Sequence, residues 1–178
     1  MLTDGLAERV RATIRDVPDF PSPGISYKDI TPVLADATLM RSITHHFVSL
    51  YGGKGIDIVA GIESRGFILG GAVAVALGAG FVPIRKAGKL PHQRLRVEYE
   101  LEYGADALEA HIDAVTPGMR VLVLDDVLAT GGTARAAIDL MRQVGGDVAA
   151  AAFLLELQFL HGRSRLQDVA VSSLIGFA

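Results

Sequence analysis

One stretch of the chain combines residue types that could bind a phosphorylated sugar. Residues 121–133 read VLVLDDVLATGGT, in which an apolar run ends in the adjacent carboxylates of Asp125 and Asp126 and a turn of small residues follows. If a helix begins after this turn, its first backbone N–H groups have no acceptors within the helix and carry partial positive charge, which favours a phosphate. The pair Gly131 and Gly132 would let the backbone wrap closely around that phosphate.

The polar groups of this segment suit two different parts of such a ligand. Thr130 and Thr133 supply hydroxyl donors for the anion, whereas the carboxylates repel a phosphate and suit ribose hydroxyls or a nearby cation. A glycine pair before a helix and an aspartate at a strand end are each common. The prediction therefore rests on the whole string of strand, paired carboxylates, small loop and helix. The sequence contains neither the P-loop pattern GxxxxGK[ST] nor the three-glycine dinucleotide fingerprint.

The elements that must position this loop alternate along the chain. Runs that are apolar on both faces predict short strands at residues 56–62, 81–84, 120–125, 148–155 and 169–175. Helical patterns lie between most of them, and this alternation predicts an α/β fold with a parallel sheet covered on both sides. Ligands of such sheets bind at the carboxyl ends of the strands. There the sequence carries Glu63-Ser64-Arg65, Arg85-Lys86 and Asp125-Asp126, so we expect one crevice lined by charged groups.

Four helical patterns complete this scheme. We expect a first helix over residues 6–17 and a second that begins after Asp36 as its N-cap and ends at the pair Gly52 and Gly53. A third, buried helix is expected over residues 67–77 and a fourth from about residue 134 to 144. The prolines of residues 18–24 predict an extended connection after the first helix.

Residues 87–116 differ in character from the alternating units. Leu95, Val97, Tyr99, Leu101 and Tyr103 alternate with polar residues, which predicts a β-hairpin rather than another strand and helix. Because the hairpin interrupts the order of the sheet, it is a candidate lid over the crevice.

The composition narrows the class of protein. The 178 residues are half apolar and carry a net charge of −3, which suits one domain with a sizeable core and no basic surface for nucleic acid. The absence of cysteine excludes disulfides, thiolate metal sites and a cysteine nucleophile, and the five histidines do not stand at metal-ligand spacing. We find no signal-peptide pattern and no apolar run of membrane-spanning length, so we expect a cytoplasmic protein without membrane or nucleic-acid partners.

Residues 121–133 resemble the phosphoribosyl-pyrophosphate (PRPP) motif of the type I phosphoribosyltransferases. Four further segments are similar to those of the adenine phosphoribosyltransferases, in the same order: FPSPGISYKDITPVL at 20–34, AGIESRGF at 60–67, IRKAGKLP at 84–91 and YELEYG at 99–104. The resemblance covers nearly the whole chain. It implies one domain over residues 1–178 with the type I phosphoribosyltransferase fold: a central, mainly parallel sheet flanked by helices, a β-hairpin flap over 87–116 and a small N-terminal hood over 1–35.

The family activity that this resemblance implies is transfer of a 5-phosphoribosyl group from PRPP to adenine, which gives AMP and pyrophosphate and uses Mg²⁺. The 5′-phosphate would then bind Ala129, Thr130, Gly131, Gly132 and Thr133, and the ribose hydroxyls would face Asp125 and Asp126. Pyrophosphate would meet Arg65, Arg85, Lys86 and Lys89, and Arg65 is best placed to bind it bidentately and to assist catalysis. Mg²⁺ would be held mainly by the substrate, with no dedicated protein ligands.

The resemblance also implies where the base would bind. Tyr27 and Val127 would sandwich the adenine ring, with Leu128 beside it, and the backbone near Ser26 and Lys28 would read its edge. The sequence departs from the family here, because the family frequently has Arg in place of Lys28 and an aliphatic residue in place of Ser26. If the base were read by the guanidinium itself, lysine could not reproduce its planar fork.

The proton acceptor that the resemblance implies is Glu102 on the flap, with Tyr103 helping to close the site from water. By composition alone Glu98 and Glu100 are equal candidates, and only the string LEYG at residues 101–104 singles out Glu102.

Two other functions fit the same residues. One is transfer to another purine, namely xanthine, guanine or hypoxanthine. The other is a PRPP-sensing regulator that binds nucleic acid without turnover, although the acidic net charge argues against it. The partners we expect are PRPP, adenine, AMP and pyrophosphate, and the resemblance also predicts a homodimer.

Overall fold

The chain forms two compact units, one ending at His46 and the other comprising Phe47–Ala178. The computed structural model describes residues 2–100 and 105–178. The first unit contains α1 (Leu2–Thr13), β1 (Arg15–Val17), β2 (Tyr27–Asp29), α2 (Thr31–Ala35) and the first part of α3 (Ala37–Tyr51). The two strands pair antiparallel, with Val17 opposite Tyr27.

The helix predicted over residues 6–17 is wrong at its end, because α1 stops at Thr13 and residues 15–17 form β1. Pro18 disfavours a helical conformation for the residue before it. The backbone of this segment pairs with β2 instead, and ion pairs join Arg15 to Asp29 at 3.5 Å and Lys28 to Asp16. The pairing partner lies ten residues further on, which a local helical pattern does not reveal.

The predicted cap of the next helix is confirmed. Asp36 Oδ1 accepts hydrogen bonds from the backbone N–H groups of Thr38 and Leu39 at 2.8 and 3.0 Å, which satisfies two of the donors that a helix start leaves unpaired. The inner face of α3 carries the buried side chains of Leu39, Ile43 and Phe47.

The larger unit is built on a sheet whose strands match the predicted apolar runs. These strands are β3 (Ile58–Ile62), β4 (Gly80–Lys86), β5 (Arg94–Glu100), β6 (Ala105–His111), β7 (Arg120–Leu128), β8 (Asp147–Leu157) and β9 (Ala170–Phe177). They lie in the order β5-β6-β4-β3-β7-β8-β9. The neighbouring strands β4, β3, β7, β8 and β9 pair parallel. Strand β6 pairs antiparallel with both β4 and β5. The predicted mainly parallel sheet and the hairpin at its edge are therefore confirmed.

Helices cover the sheet, as its apolar strands require. Val121, Leu122, Val123 and Leu124 of β7 are all fully buried, so this strand has no face toward solvent. The helices of this unit are α4 (Arg65–Leu77) and α5 (Gly132–Val144), and two 3₁₀ turns at Gln158–Leu160 and Gly162–Leu166 precede β9.

Two sequence expectations fail in this unit. Strand β7 does not end at the paired carboxylates but continues to Leu128, because β8 extends beside it and pairs Leu128 with Glu156. Helix α4 is apolar but not wholly buried, since Ile68 and Val75 are 50% and 83% exposed. Its apolar outer face is thus left uncovered by the described part of the chain.

Candidate active site

A cavity of about 540 Å³ lies at the carboxyl ends of β3, β4 and β7. Its walls bring together the three predicted strand-end groups with the loop that follows β7 and two residues of the hairpin. The lining residues are Glu63, Ser64, Arg65, Lys86, Lys89, Tyr99, Asp106, Asp125, Asp126, Val127, Leu128, Ala129, Thr130, Gly131, Thr133 and Ala134. Acidic groups, basic groups and backbone amides therefore line one cavity, as expected for a sugar phosphate site.

The loop between β7 and α5 has the geometry of an anion cradle. Helix α5 begins at Gly132, and Gly131, Thr133 and Ala134 line the cavity, so the helix start, with its unpaired N–H groups, lies at the cavity wall. Gly131 adopts φ +83°, a left-handed conformation that glycine adopts without strain. A Cβ atom there would lie 2.4 Å from the carbonyl oxygen of Gly162, so the position also has no room for a side chain.

Gly162 supports this loop from behind. A Cβ atom on Gly162 would lie 2.1 Å from the carbonyl oxygen of Ala129, which means that the 3₁₀ turn and the loop touch through their backbones. Sequence reasoning missed Gly162, since it lies about thirty residues beyond the loop and belongs to no phosphate motif. The shape of the cradle thus depends on a contact that only the fold creates.

The paired carboxylates occupy different environments. Asp126 is 4% exposed, and its Oδ2 accepts a hydrogen bond from Arg65 Nε. Asp125 Oδ1 accepts a hydrogen bond from the backbone N–H of Asp126 at 2.8 Å. The start of α4 packs closely against Asp125, because Gly66 has no side chain and a Cβ atom on it would lie 2.9 Å from Asp125 Oδ1. Burial, reinforced by the charge of Asp126, raises the pKa of Asp125 well above its ordinary value. The two neighbouring carboxyl groups therefore differ in how readily they ionise.

The basic residues near β3 and β4 are held by Glu63. Its Oε1 accepts from Lys89 Nζ, while its Oε2 accepts from Arg85 Nε at 3.3 Å and from the backbone N–H of Lys86 at 3.1 Å. Burial opposes ionisation of Glu63, but these three hydrogen bonds outweigh it and lower the pKa of the carboxyl group. Glu63 is therefore a charged group that organises this wall of the cavity.

The stem of the hairpin adds a fourth carboxylate to the cavity lining. Asp106 on β6 stands opposite Tyr99 on β5, and its Oδ2 accepts from Lys86 Nζ at 2.7 Å and from the Tyr99 hydroxyl at 3.3 Å. Burial raises the pKa of Tyr99, and the nearby charge of Asp106 raises it further. A hydrogen bond with Thr133 opposes this shift. Neither Tyr99 nor Asp106 was predicted as a site residue, since nothing in the hairpin pattern distinguishes them.

The remaining predicted residues lie elsewhere. Among the described residues, Arg85 stands behind Glu63 and Gly132 is buried at the start of α5, and neither lines the cavity. Tyr27 and Lys28 belong to β2 of the N-terminal unit and Ser26 precedes them; the Phe20 ring meets the Tyr27 ring edge-on, with centroids 5.2 Å apart. The predicted proton acceptor Glu102 and its neighbour Tyr103 lie outside the described residues.

Two kinds of feature are absent from the described residues. Residues 2–100 and 105–178 contain no group of three or more His, Cys, Asp or Glu side chains arranged to hold a metal ion. None of the helices in the same ranges is long and apolar enough to cross a membrane.

The sequence and the fold match a known family of enzymes. The phosphoribosyl transferase domain family matches residues 29–173 of this chain. An adenine phosphoribosyltransferase of Bradyrhizobium sp. (strain ORS 278) is 54% identical over 170 residues, which cover 94% of this chain and 95% of the relative. Another, of Chelativorans sp. (strain BNC1), is 51% identical over 178 residues, which cover 99% of this chain and 98% of that one.

Solved structures give the same result. The crystal structure of adenine phosphoribosyltransferase from Rhodothermus marinus superposes with a TM-score of 0.93 at 52% identity, covering 98% of this chain and 99% of that one. The Saccharomyces cerevisiae enzyme, crystallised with an imino-altritol bisphosphate and adenine, has a TM-score of 0.91 at 38% identity and covers 96% of this chain and 99% of its own. The chain therefore belongs to the adenine phosphoribosyltransferase family.

Proposed function

We propose that the protein transfers the 5-phosphoribosyl group of PRPP to adenine, forming AMP and releasing pyrophosphate. The observation that carries this proposal is the convergence, in one cavity, of a helix N-terminus at a glycine loop, a carboxylate pair and a set of cations. A sugar that carries a phosphate at one end and a pyrophosphate at the other needs these three groups. Relatives of the chain named adenine phosphoribosyltransferase support adenine as the acceptor.

PRPP would bind along the cavity wall. The 5′-phosphate would accept hydrogen bonds from the backbone and hydroxyl donors of residues 129–133. All of these residues except Gly132 line the cavity, and α5 begins among them. The ribose hydroxyls would donate to Asp125 and Asp126. The pyrophosphate would then lie toward Arg65, Lys86 and Lys89, with Arg85 behind them.

The reaction would break the bond between C1′ and the pyrophosphate oxygen and form a bond between C1′ and a ring nitrogen of adenine. The electron pair of the broken bond would leave with pyrophosphate, whose charge the cations would stabilise. Positive charge would develop on the sugar ring, and the Asp125–Asp126 pair would stabilise it electrostatically. Glu102 would accept the proton that adenine loses, and Tyr103 would help to exclude water, which could otherwise attack the sugar.

Base recognition would involve the segment around β2. Tyr27 and Val127 would stack on the two faces of adenine, Leu128 would contact its rim, and backbone groups at Ser26 and Lys28 would read its edge. In support, this segment exposes apolar side chains, since Phe20 and Ile25 are 52% and 43% exposed. A planar base is a suitable partner for such a surface.

Magnesium would reach the site with PRPP rather than on protein ligands. Mg²⁺ prefers carboxylate and phosphate oxygens together with several waters. In the described wall of the cavity, Glu63, Asp106 and Asp126 already contact cations, and Asp125 has a raised pKa. These residues fit a metal that substrate oxygens hold, and the ion would supply charge neutralisation on the pyrophosphate.

We further propose the organisation of the enzyme. Residues 1–35 would serve as the hood over the base and residues 87–116 as the flap, both within one catalytic domain. The uncovered apolar face of α4, with Ile68 and Val75 exposed, supports a homodimer. The enzyme would act in the cytoplasm, where PRPP and free bases are available.

A direct assay tests the function. Purified protein would be mixed with PRPP, Mg²⁺ and one base at a time, using adenine, guanine, hypoxanthine and xanthine, and the nucleotide products would be separated. We expect AMP from adenine and at least about a hundredfold lower turnover with the other bases, because a site built for one hydrogen-bonding edge leaves polar groups unpaired against another. Absence of AMP at saturating PRPP would refute the proposal, and preferred formation of another nucleotide would reassign the base.

A further inference from the structure

Lys86 and Lys89, which line the cavity, and Arg85 next to them already pair with carboxylates of the protein. Arg85 and Lys89 contact Glu63, and Lys86 contacts Asp106. Three cations thus share two carboxylates. This matters because a pyrophosphate of three or four negative charges entering the site must compete with groups that are permanently present.

Glu63 makes the contacts that a phosphate group would make. Its side chain is 11% exposed, and its two oxygens accept from two cationic side chains and one backbone amide. Arg85 is further tied to this arrangement through its hydrogen bond to the carbonyl oxygen of Lys89, at 3.0 Å. The carboxylate therefore holds both cations in place and also lines the cavity that an anion would enter.

Asp106 holds the third cation, the ammonium group of Lys86. Its side chain is 24% exposed, lines the cavity and accepts from Lys86 Nζ at 2.7 Å. The carboxylate is fixed in turn by the Tyr99 hydroxyl at 3.3 Å and by the backbone N–H of Ala107 at 2.8 Å. These two hydrogen bonds oppose displacement of the carboxylate from the ammonium group.

We propose that Glu63 and Asp106 are resident competitors of pyrophosphate, which hold the cations in place in the empty site and weaken the binding of pyrophosphate so that this product is released. The inference rests on the proposed function. With both carboxylates charged, the three cations leave a net charge of only +1 at this wall. Neutral isosteric replacements would raise that charge by one unit each, and each would keep one acceptor oxygen while an amide NH₂ group replaces the other.

The test uses Glu63→Gln and Asp106→Asn in the full-length protein. Calorimetric titration with pyrophosphate, in the presence of AMP, would give the dissociation constant for each variant. We expect each variant to bind pyrophosphate about threefold to thirtyfold more tightly than the wild type, by the removal of one like charge within a few ångströms of the ligand. We also expect a lower KM for PRPP together with a lower kcat, because a more tightly held product leaves more slowly.

Glu98→Gln is the matched control. Glu98 lies on the same hairpin and pairs with Arg96 at 3.0 Å, but its side chain is 69% exposed and outside the cavity lining. Removal of its charge should leave the pyrophosphate affinity, KM and kcat unchanged. Thermal denaturation would establish that each variant folds, and if Glu63→Gln does not fold, Asp106→Asn carries the test alone.

The outcomes separate the possible roles. Unchanged or weaker binding of pyrophosphate in the folded variants would overturn the inference, because the carboxylates would then act only as structural supports. Repeating the titration in EDTA distinguishes repulsion of pyrophosphate by the carboxylates from binding of Mg²⁺ by them. If the variants bind pyrophosphate more tightly both with and without Mg²⁺, the inference is supported. If they bind it more weakly, and only when Mg²⁺ is present, the carboxylates are metal ligands and the inference fails. If the wild type bound pyrophosphate but made no AMP from PRPP and adenine, the proposed function would fail instead.

Discussion

Two neighbouring aspartates in this site differ because their surroundings differ. Asp126 contacts the Arg65 side chain, whereas Asp125 lies at the start of α4 and beside the charge of Asp126. Burial and that charge raise the pKa of Asp125. The ionised side chain of Asp125 therefore carries an energetic cost to the folded state, as functional groups commonly do, which agrees with the ribose-binding role we propose for it.

We predict that Asp125→Asn stabilises the unliganded protein at neutral pH and abolishes catalysis. The folded state holds the Asp125 proton more tightly than the unfolded chain, so ionisation destabilises the fold as pH rises above the unfolded pKa of about 4. Asparagine avoids this cost, and a gain of about 1 kcal/mol would raise Tm by about 2–4 °C. Denaturation at several pH values measures it, and the gain should be larger at pH 8 than at pH 5.

The neighbouring residue supplies the contrast. Asp126→Asn should lower Tm, because it removes the charged partner that Arg65 contacts. If Asp125→Asn lost stability as Asp126→Asn does, with no dependence on pH, the assigned cause of the raised pKa in Asp125 would be wrong.

The flap glutamates allow a second prediction at this scale. Glu102→Gln should lower kcat about a hundredfold or more with little change in KM for PRPP, because loss of a general base removes a proton acceptor and not a binding contact. Glu98→Gln and Glu100→Gln should retain kcat near the wild-type value, and steady-state assays with adenine compare the three. Equal losses in all three variants would show that the flap needs its charge rather than one base.

At the scale of elements, the loop between β7 and α5 depends on the 3₁₀ turn at Gly162–Leu166. Gly131 and Gly162 face each other with no room for a methyl group on either, and Gly131 also has a positive φ. The loop is therefore held from the α5 side by the helix start and from behind by the turn. Its rigidity would preorganise the amides for a phosphate.

We predict that Gly131→Ala weakens PRPP binding at least about a hundredfold and lowers the free energy of unfolding by about 3 kcal/mol, by backbone strain together with the steric clash. Gly118→Ala separates the two effects. Gly118 has φ +86°, and a Cβ atom there would meet nothing within 4 Å, so this variant should lose only about 1 kcal/mol by conformational strain. Urea denaturation and PRPP titration of both variants check the prediction, and equal losses would mean that contact with Gly162 contributes nothing.

At the scale of the whole molecule, the exposed apolar face of α4 is the feature that the isolated chain does not explain. Val75 is 83% exposed and Ile68 is 50% exposed on a helix whose other side is buried against the sheet. Contiguous exposed apolar surface on a folded protein commonly marks an interface with another chain. Because α4 begins at Arg65, an interface there would also bear on the active site.

We predict that Val75→Glu converts a dimer to a monomer, because it would place a charge in a desolvated contact, and that it reduces activity by at least about tenfold. Sedimentation velocity at micromolar concentration measures the oligomeric state. Gln143→Glu, on the exposed side of α5, adds a similar charge and should leave the dimer intact. A wild type that sediments as a monomer would refute the homodimer.

The sequence by itself determined those features that depend on local pattern. The glycine loop followed by a helix, the apolar strands, the hairpin and the Asp36 cap all follow from residue types a few positions apart, because helix caps, turns and apolar patterns depend on neighbouring residues in the sequence. These patterns were enough to predict a parallel sheet and to place charged groups at its carboxyl edge.

Only the tertiary structure decided how those charged groups contact one another. Arg65 meets Asp126 across 61 residues of sequence and Lys89 meets Glu63 across 26, and no periodic pattern encodes such pairs. The same holds for Gly162 behind the loop and for β7, which continues past its carboxylates because β8 extends beside it. Ion pairing and backbone packing between distant segments depend on chain topology, so they become visible only when the sheet is assembled.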